Sequence, residues 1–182
     1  MDELVFAYID SISNAVPIKQ QKIIFSNEYE IGLLRGSNDR IEKIIINPIN
    51  NLYDNLYPEY IKNINLLVGI NGSGKTSLFN ILGSSRDKRK QNTENWHFFF
   101  LYKVGNNKFV IEGNDWWVIR EISEVKKFLF ASKGNVSQEY SLVFEYDFEN
   151  KQMFNIRICI PGEWEDTKIL YYQDLSTRVY QW

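Results

Sequence analysis

One cysteine, Cys159, and one histidine, His97, are all that the 182 residues contain of either type. Within a single chain they exclude a disulfide framework and a Cys/His zinc site. Cys159 falls in the run Asn155-Ile156-Arg157-Ile158-Cys159-Ile160, where a buried, inert thiol is expected. His97 sits between Trp96 and Phe98 and reads as a structural residue. Excess charge is missing too: the formal net charge is −2, so no global field draws the chain to nucleic acid or to an anionic membrane. No apolar run approaches the ~18 residues that span a bilayer. The start Met1-Asp2-Glu3-Leu4 lacks the basic and apolar stretches of a signal peptide, which makes the cytoplasm the expected location and a membrane partner unexpected. No internal repeat or interdomain linker is visible.

Aromatic residues make up 15% of the chain, including 11 Tyr and 12 Phe. Aromatics suit a pleated, half-buried surface, so a β-rich body is predicted. Strands are expected at Val5–Ile9, Gln21–Phe25, Tyr29–Leu34, Ile41–Ile46, Trp96–Val104, Lys108–Glu112, Trp116–Glu121, Tyr140–Phe148, Met153–Ile160 and Lys168–Tyr172. Gly105-Asn106-Asn107 and Glu149-Asn150-Lys151-Gln152 mark hairpin turns. A short helix is predicted over Ser123–Ser132, with Ser123 as cap and Glu124 in the first turn. The basic stretch Arg86–Lys90 reads as a solvated loop.

The chemistry concentrates in Gly69-Ile70-Asn71-Gly72-Ser73-Gly74-Lys75-Thr76, which fits G-x-x-x-x-G-K-[ST] without a mismatch. Glycines allow the backbone to curl so that successive N–H groups point at phosphates, and side chains at Gly72 or Gly74 would obstruct that approach. Lys75–Leu82 has apolar residues spaced for a helix packed on a sheet, and the N-terminus of that helix adds partial positive charge. Lys75 is expected to reach the β- and γ-phosphates, Thr76 to ligate Mg²⁺, and Ser77 to reach the α-phosphate. Asn65-Leu66-Leu67-Val68 reads as the short buried strand that feeds such a loop. ATP with Mg²⁺ is the expected ligand. Adenine contacts are unmarked, with Arg35, Tyr29 and Tyr57 as the residues of suitable type.

Several companion motifs are absent. Neither Asp-x-x-Gly nor Asn-Lys-x-Asp follows the loop, which excludes a GTPase. No run of four apolar residues ending in Asp follows Thr76: Gln173 interrupts Ile169-Leu170-Tyr171-Tyr172-Gln173-Asp174, and Phe6-Ala7-Tyr8-Ile9-Asp10 precedes the loop. A Leu-Ser-Gly-Gly signature is missing.

The stretch from Asn65 through Leu78 resembles the Walker A region of ABC-type head ATPases, the group of SMC proteins, RecF and the OLD-like bacterial ATPases, several of which serve in anti-phage defence. The opening residues, with a strand ending Tyr8-Ile9, then Ile23-Ile24-Phe25-Ser26 and Tyr29-Glu30-Ile31, are similar in layout. The resemblance implies an α/β fold: the N-terminal lobe of a P-loop NTPase, an ABC/SMC-like head, with an antiparallel β-subdomain at about 96–172 in a single incomplete lobe over 1–182. It assigns Gln173, after the strand Lys168–Tyr172, to the Q-loop, where a neutral amide ligates Mg²⁺ and positions the water at the γ-phosphate. It also implies homodimerisation through ATP-bound heads, a nuclease or other effector partner, and DNA as a ligand. The signature and acidic motifs of that family come later in the chain. The expectation is therefore ATPase activity in a longer protein and ATP binding without turnover in these 182 residues. A nucleotide-sensing module without hydrolysis and a small P-loop kinase are the alternatives.

Overall fold

The computed structural model describes residues 3–12, 18–50, 65–66, 68, 70–84, 96–113, 119–132 and 140–159. Eight strands and two helices are present among them: β1 (Glu3–Ile12), β2 (Lys19–Ile24), β3 (Tyr29–Arg35), β4 (Ile41–Pro48), α1 (Lys75–Gly83), β5 (Trp96–Lys103), β6 (Lys108–Gly113), α2 (Ser123–Ser132), β7 (Tyr140–Asp147) and β8 (Gln152–Cys159). A six-stranded sheet runs in the order β2-β1-β5-β6-β7-β8, and β3 and β4 form a separate two-stranded ribbon. Every strand pair is antiparallel.

This corrects the expected fold class. The described residues are not an α/β P-loop NTPase fold with a parallel sheet; they are mostly antiparallel β-structure carrying two helices. Tight turns join β3 to β4, β5 to β6 and β7 to β8, and such turns can only reverse a strand. The unbroken apolar run Phe98-Phe99-Phe100-Leu101 is buried on both of its faces. A run of that kind marks a strand covered on both sides and does not by itself mark a parallel neighbour.

Alternation along the strands builds two cores. On one face Phe6, Tyr8, Phe99, Leu101, Phe109 and Phe144 pack against β3, β4 and α2. On the other, Ala7, Ile9, Phe98, Phe100, Tyr102 and Val110 pack against Leu78 and Ile81 of α1. The sheet is thus the middle layer, with the ribbon and α2 on one side and α1 on the other. A bulge at Val5, between the Leu4–Tyr102 and Phe6–Leu101 pairs, sends Val5 and Phe6 into the same core.

Three polar ties fasten the ribbon to the sheet. The Tyr146 hydroxyl accepts from the Ile46 N–H (3.1 Å) and donates to the Ile44 carbonyl (3.4 Å). Lys103 pairs with Glu28 and lies 5.1 Å from the centre of the Tyr29 ring. Burial, the largest single influence, works against the Lys103 charge, yet the hydrogen bonds and charges of Glu28 and Tyr29 together outweigh it and hold the ammonium pKa above its ordinary value. In the third tie, Arg35 donates to the Tyr8 hydroxyl (2.8 Å), which itself donates to Asp10 (2.9 Å).

Most predicted elements lie within a residue or two of the observed ones. The strand expected at Trp116–Glu121 does not: Ile119–Glu121 form a helical turn ahead of α2, with the Ile122 N–H on the Ile119 carbonyl at 3.2 Å. Trp116 through Val118, the strand expected at Lys168–Tyr172 and the Arg86–Lys90 loop lie outside the described residues. Among the described residues no helix is long and apolar enough to cross a membrane.

Candidate phosphate-binding loop

Among the described residues, Gly72 and Gly74 are the glycines with left-handed backbones, at φ 80° and 88°. A side chain at either position would be strained by about 1–2 kcal/mol. Between them Ser73 closes a turn, its N–H donating to the Ile70 carbonyl at 3.3 Å. The helix α1 starts at Lys75, and its first bond runs from the Leu78 N–H to the Gly74 carbonyl at 2.9 Å. Leu78 and Ile81, both buried, anchor the helix on the sheet.

The N-terminus of this helix lacks the usual neutralising groups. Gly74 occupies the capping position and makes no side-chain cap, and the first turn holds no acidic residue. A Ser, Thr, Asp or Asn cap would contribute about 1 kcal/mol, and an acid in the first turn a further ~0.3–1 kcal/mol. The positive end of the helix therefore gains no acceptor from its own cap residue. The space beside the loop is open as well: a Cβ on Gly72 would meet nothing within 4 Å.

Lys75 curls back over the loop, and its Nζ donates to the Ile70 carbonyl at 2.7 Å. This contact has no sequence signal. Asn71, Gly72, Ser73 and Thr76 are exposed, while Gly74, Lys75 and Ser77 are half-buried. The structure thus brings Asn71, Gly72, Ser73, Gly74, Lys75, Thr76 and Ser77 into one turn-and-helix unit. Gly69 and Gln173 lie outside the described residues.

The strand expected ahead of the loop is not found among the described residues. Among the described residues of 65–70 none belongs to a strand, and Leu66, Val68 and Ile70 are 86%, 78% and 83% exposed. Apolar, β-prone residues become a strand only where a neighbour supplies the ladder, and neither sheet extends to this segment.

Two of the residues weighed for adenine are committed elsewhere. Tyr29 is buried against Phe109 and Phe148 in the core on the ribbon side, across the sheet from α1. Arg35 is engaged by Tyr8 and Asp39. Tyr57 lies outside the described residues. No protein-family model, curated protein or solved structure matches this chain.

Proposed function

We propose that the loop Gly69–Thr76 binds the triphosphate of ATP together with Mg²⁺. The observation that carries this reading is the pair of left-handed glycines directly ahead of an uncapped, acid-free helix start, with Lys75 as its first residue. Such an arrangement converges amide dipoles, a helix terminus and an ammonium on one small volume, which is what a polyphosphate requires. The Lys75 ammonium exchanges the Ile70 carbonyl for phosphate oxygens, a stronger, charge-assisted partner.

Mg²⁺ fits the donor set. The ion keeps several waters and takes phosphate oxygens, so a hydroxyl such as the exposed one of Thr76 suffices from the protein. Among the described residues no cluster of three His, Cys, Asp or Glu could hold a metal independently of the nucleotide. Bound Mg²⁺ would screen charge on the β- and γ-phosphates, while Thr76 and Lys75 fix their position.

The reading is binding rather than turnover, because no described residue is assigned to activating water. The resemblance of the loop to ABC-type heads adds a consequence: ATP would hold two copies together, by binding the paired state better than the separate one. Calorimetric titration with Mg·ATP tests the core of the proposal. The wild-type chain should saturate, and Lys75→Ala should weaken binding by at least about tenfold with the thermal midpoint unchanged. Equal affinity in the two proteins would remove the assignment.

A further inference from the structure

Strand β8 carries a bulge that the nucleotide reading leaves unused. Between the pairs Val143–Arg157 and Glu145–Phe154, two residues of β8, Asn155 and Ile156, oppose the single residue Phe144. Asn155 takes the left-handed backbone that the bulge needs (φ 49°) and donates its side-chain amide to Glu145 Oε1 at 3.3 Å. Bulges bend the strand and re-aim side chains, and they are common beside binding sites. Here the bulge borders a hollow of about 440 Å³ lined by Lys108, Val143, Phe144, Glu145, Asn155, Ile156 and Arg157. That volume falls in the range of small-molecule sites.

The charges around the hollow are unevenly matched. Lys108 stands opposite Glu145 in the ladder, and Arg157 opposite Val143, so the two cations flank β7 on one face of the sheet. Their strands are two spacings apart, roughly 10 Å, which long side chains can close from both sides. Among the described residues neither Lys108 nor Arg157 has an ion-pair or side-chain hydrogen-bond partner. The one carboxylate in the lining, Glu145, stands across the ladder from Lys108 and accepts a hydrogen bond from the Asn155 amide. The hollow thus carries two cations against one carboxylate, an excess of one positive charge on a chain whose net charge is −2.

We propose that this hollow is a second ligand site, which takes a small organic anion with its acid group held between Lys108 and Arg157. Val143, nearly buried, belongs to the core beneath α1 and gives the site an apolar floor. The planar fork of Arg157 suits a carboxylate or a phosphate equally, and Lys108 adds a point charge.

The test uses the full chain carrying Lys75→Ala, so that the glycine loop does not respond and the two proposals fail separately. Citrate and inorganic phosphate are titrated in turn at constant ionic strength, with the side-chain amide of Asn155 followed by NMR. Saturation at millimolar concentration is expected for one or both. Citrate alone would identify a carboxylate ligand, and phosphate alone a phosphate ester. Arg157→Gln and Lys108→Gln should each weaken binding about tenfold or more, while Lys127→Gln, on an exposed position of α2, should leave it unchanged. The proposal is overturned if neither anion saturates, or if the three variants behave alike.

Discussion

Phe99 in β5 is fully buried, with the rings of Phe6 and Tyr8 at 5.9 and 5.4 Å, while Leu66, Val68 and Ile70, no less apolar, stand in solvent. The same contrast separates the two faces of α1, where Leu78 and Ile81 are buried and Phe79 is 55% exposed. Stability in this molecule is concentrated in the sheet and its two covers. The glycine loop is held by one short helix, through buried Leu78 and Ile81 and half-buried Leu82. A region that must admit and release a ligand is expected to lie at the less stable end of a fold. The difference also separates two kinds of expected mutational effect: changes in the sheet should act on folding, and changes in the loop on the proposed binding.

The largest effect expected from this contrast is at Phe99. Phe99→Ala should lower unfolding stability by about 3–5 kcal/mol in urea titration, and should lose nucleotide binding only to the extent that the fold is lost. A loss below ~1 kcal/mol would mean that the central strand is not the core described.

A smaller effect is expected at alkaline pH. Burial, followed by the hydrogen bond to Asp10, pushes the Tyr8 hydroxyl up to about 12, against the opposing pull of Arg35. Because the folded value lies above the ordinary value of 10.0, the stabilisation from the neutral phenol is complete below pH 10 and disappears as pH rises toward 12. The loss amounts to roughly 2–3 kcal/mol. Urea midpoints measured from pH 9 to 12 should fall less steeply in Tyr8→Phe than in the wild type. Parallel slopes would show that this phenol titrates normally.

The smallest effect belongs to the exposed side of α1. Phe79→Ser should change stability by no more than about 0.5 kcal/mol, since little apolar area leaves a buried environment. A loss of several times that amount would place Phe79 in a core and erase the distinction between the two regions.

How far the sequence carries depends on the same contrast. Strands such as β1, β5 and β6 were legible because burial imposes alternation or an unbroken aromatic run on them. The hairpin turns were legible from Gly105-Asn106-Asn107 and from the polar stretch after Asp147. The helix after the glycine loop was legible from the spacing of Leu78, Phe79, Ile81 and Leu82, although Phe79 faces solvent. What misled was Asn65-Leu66-Leu67-Val68, whose composition promises a buried strand although no described strand lies beside it. The α/β class implied by the loop's resemblance needed such a strand in its core, and the described sheets are antiparallel instead. Contacts that depend on three-dimensional accident, such as Lys75 on the Ile70 carbonyl or Arg35 on Tyr8, have no pattern in the chain. The cations around the β8 bulge escaped notice for a related reason, since Lys108 and Arg157 are 49 positions apart and meet only through the register of three strands.

The central claim is that a phosphate chain seats in the turn ahead of α1. Backbone amide resonances of the full chain, recorded before and after addition of Mg·ATP, address it residue by residue. The account predicts large, saturable shifts at Gly72, Gly74, Lys75 and Thr76, with Val110 and Phe144 in the sheet unmoved. Shifts that cluster on the sheet, or a spectrum indifferent to the nucleotide, would contradict it.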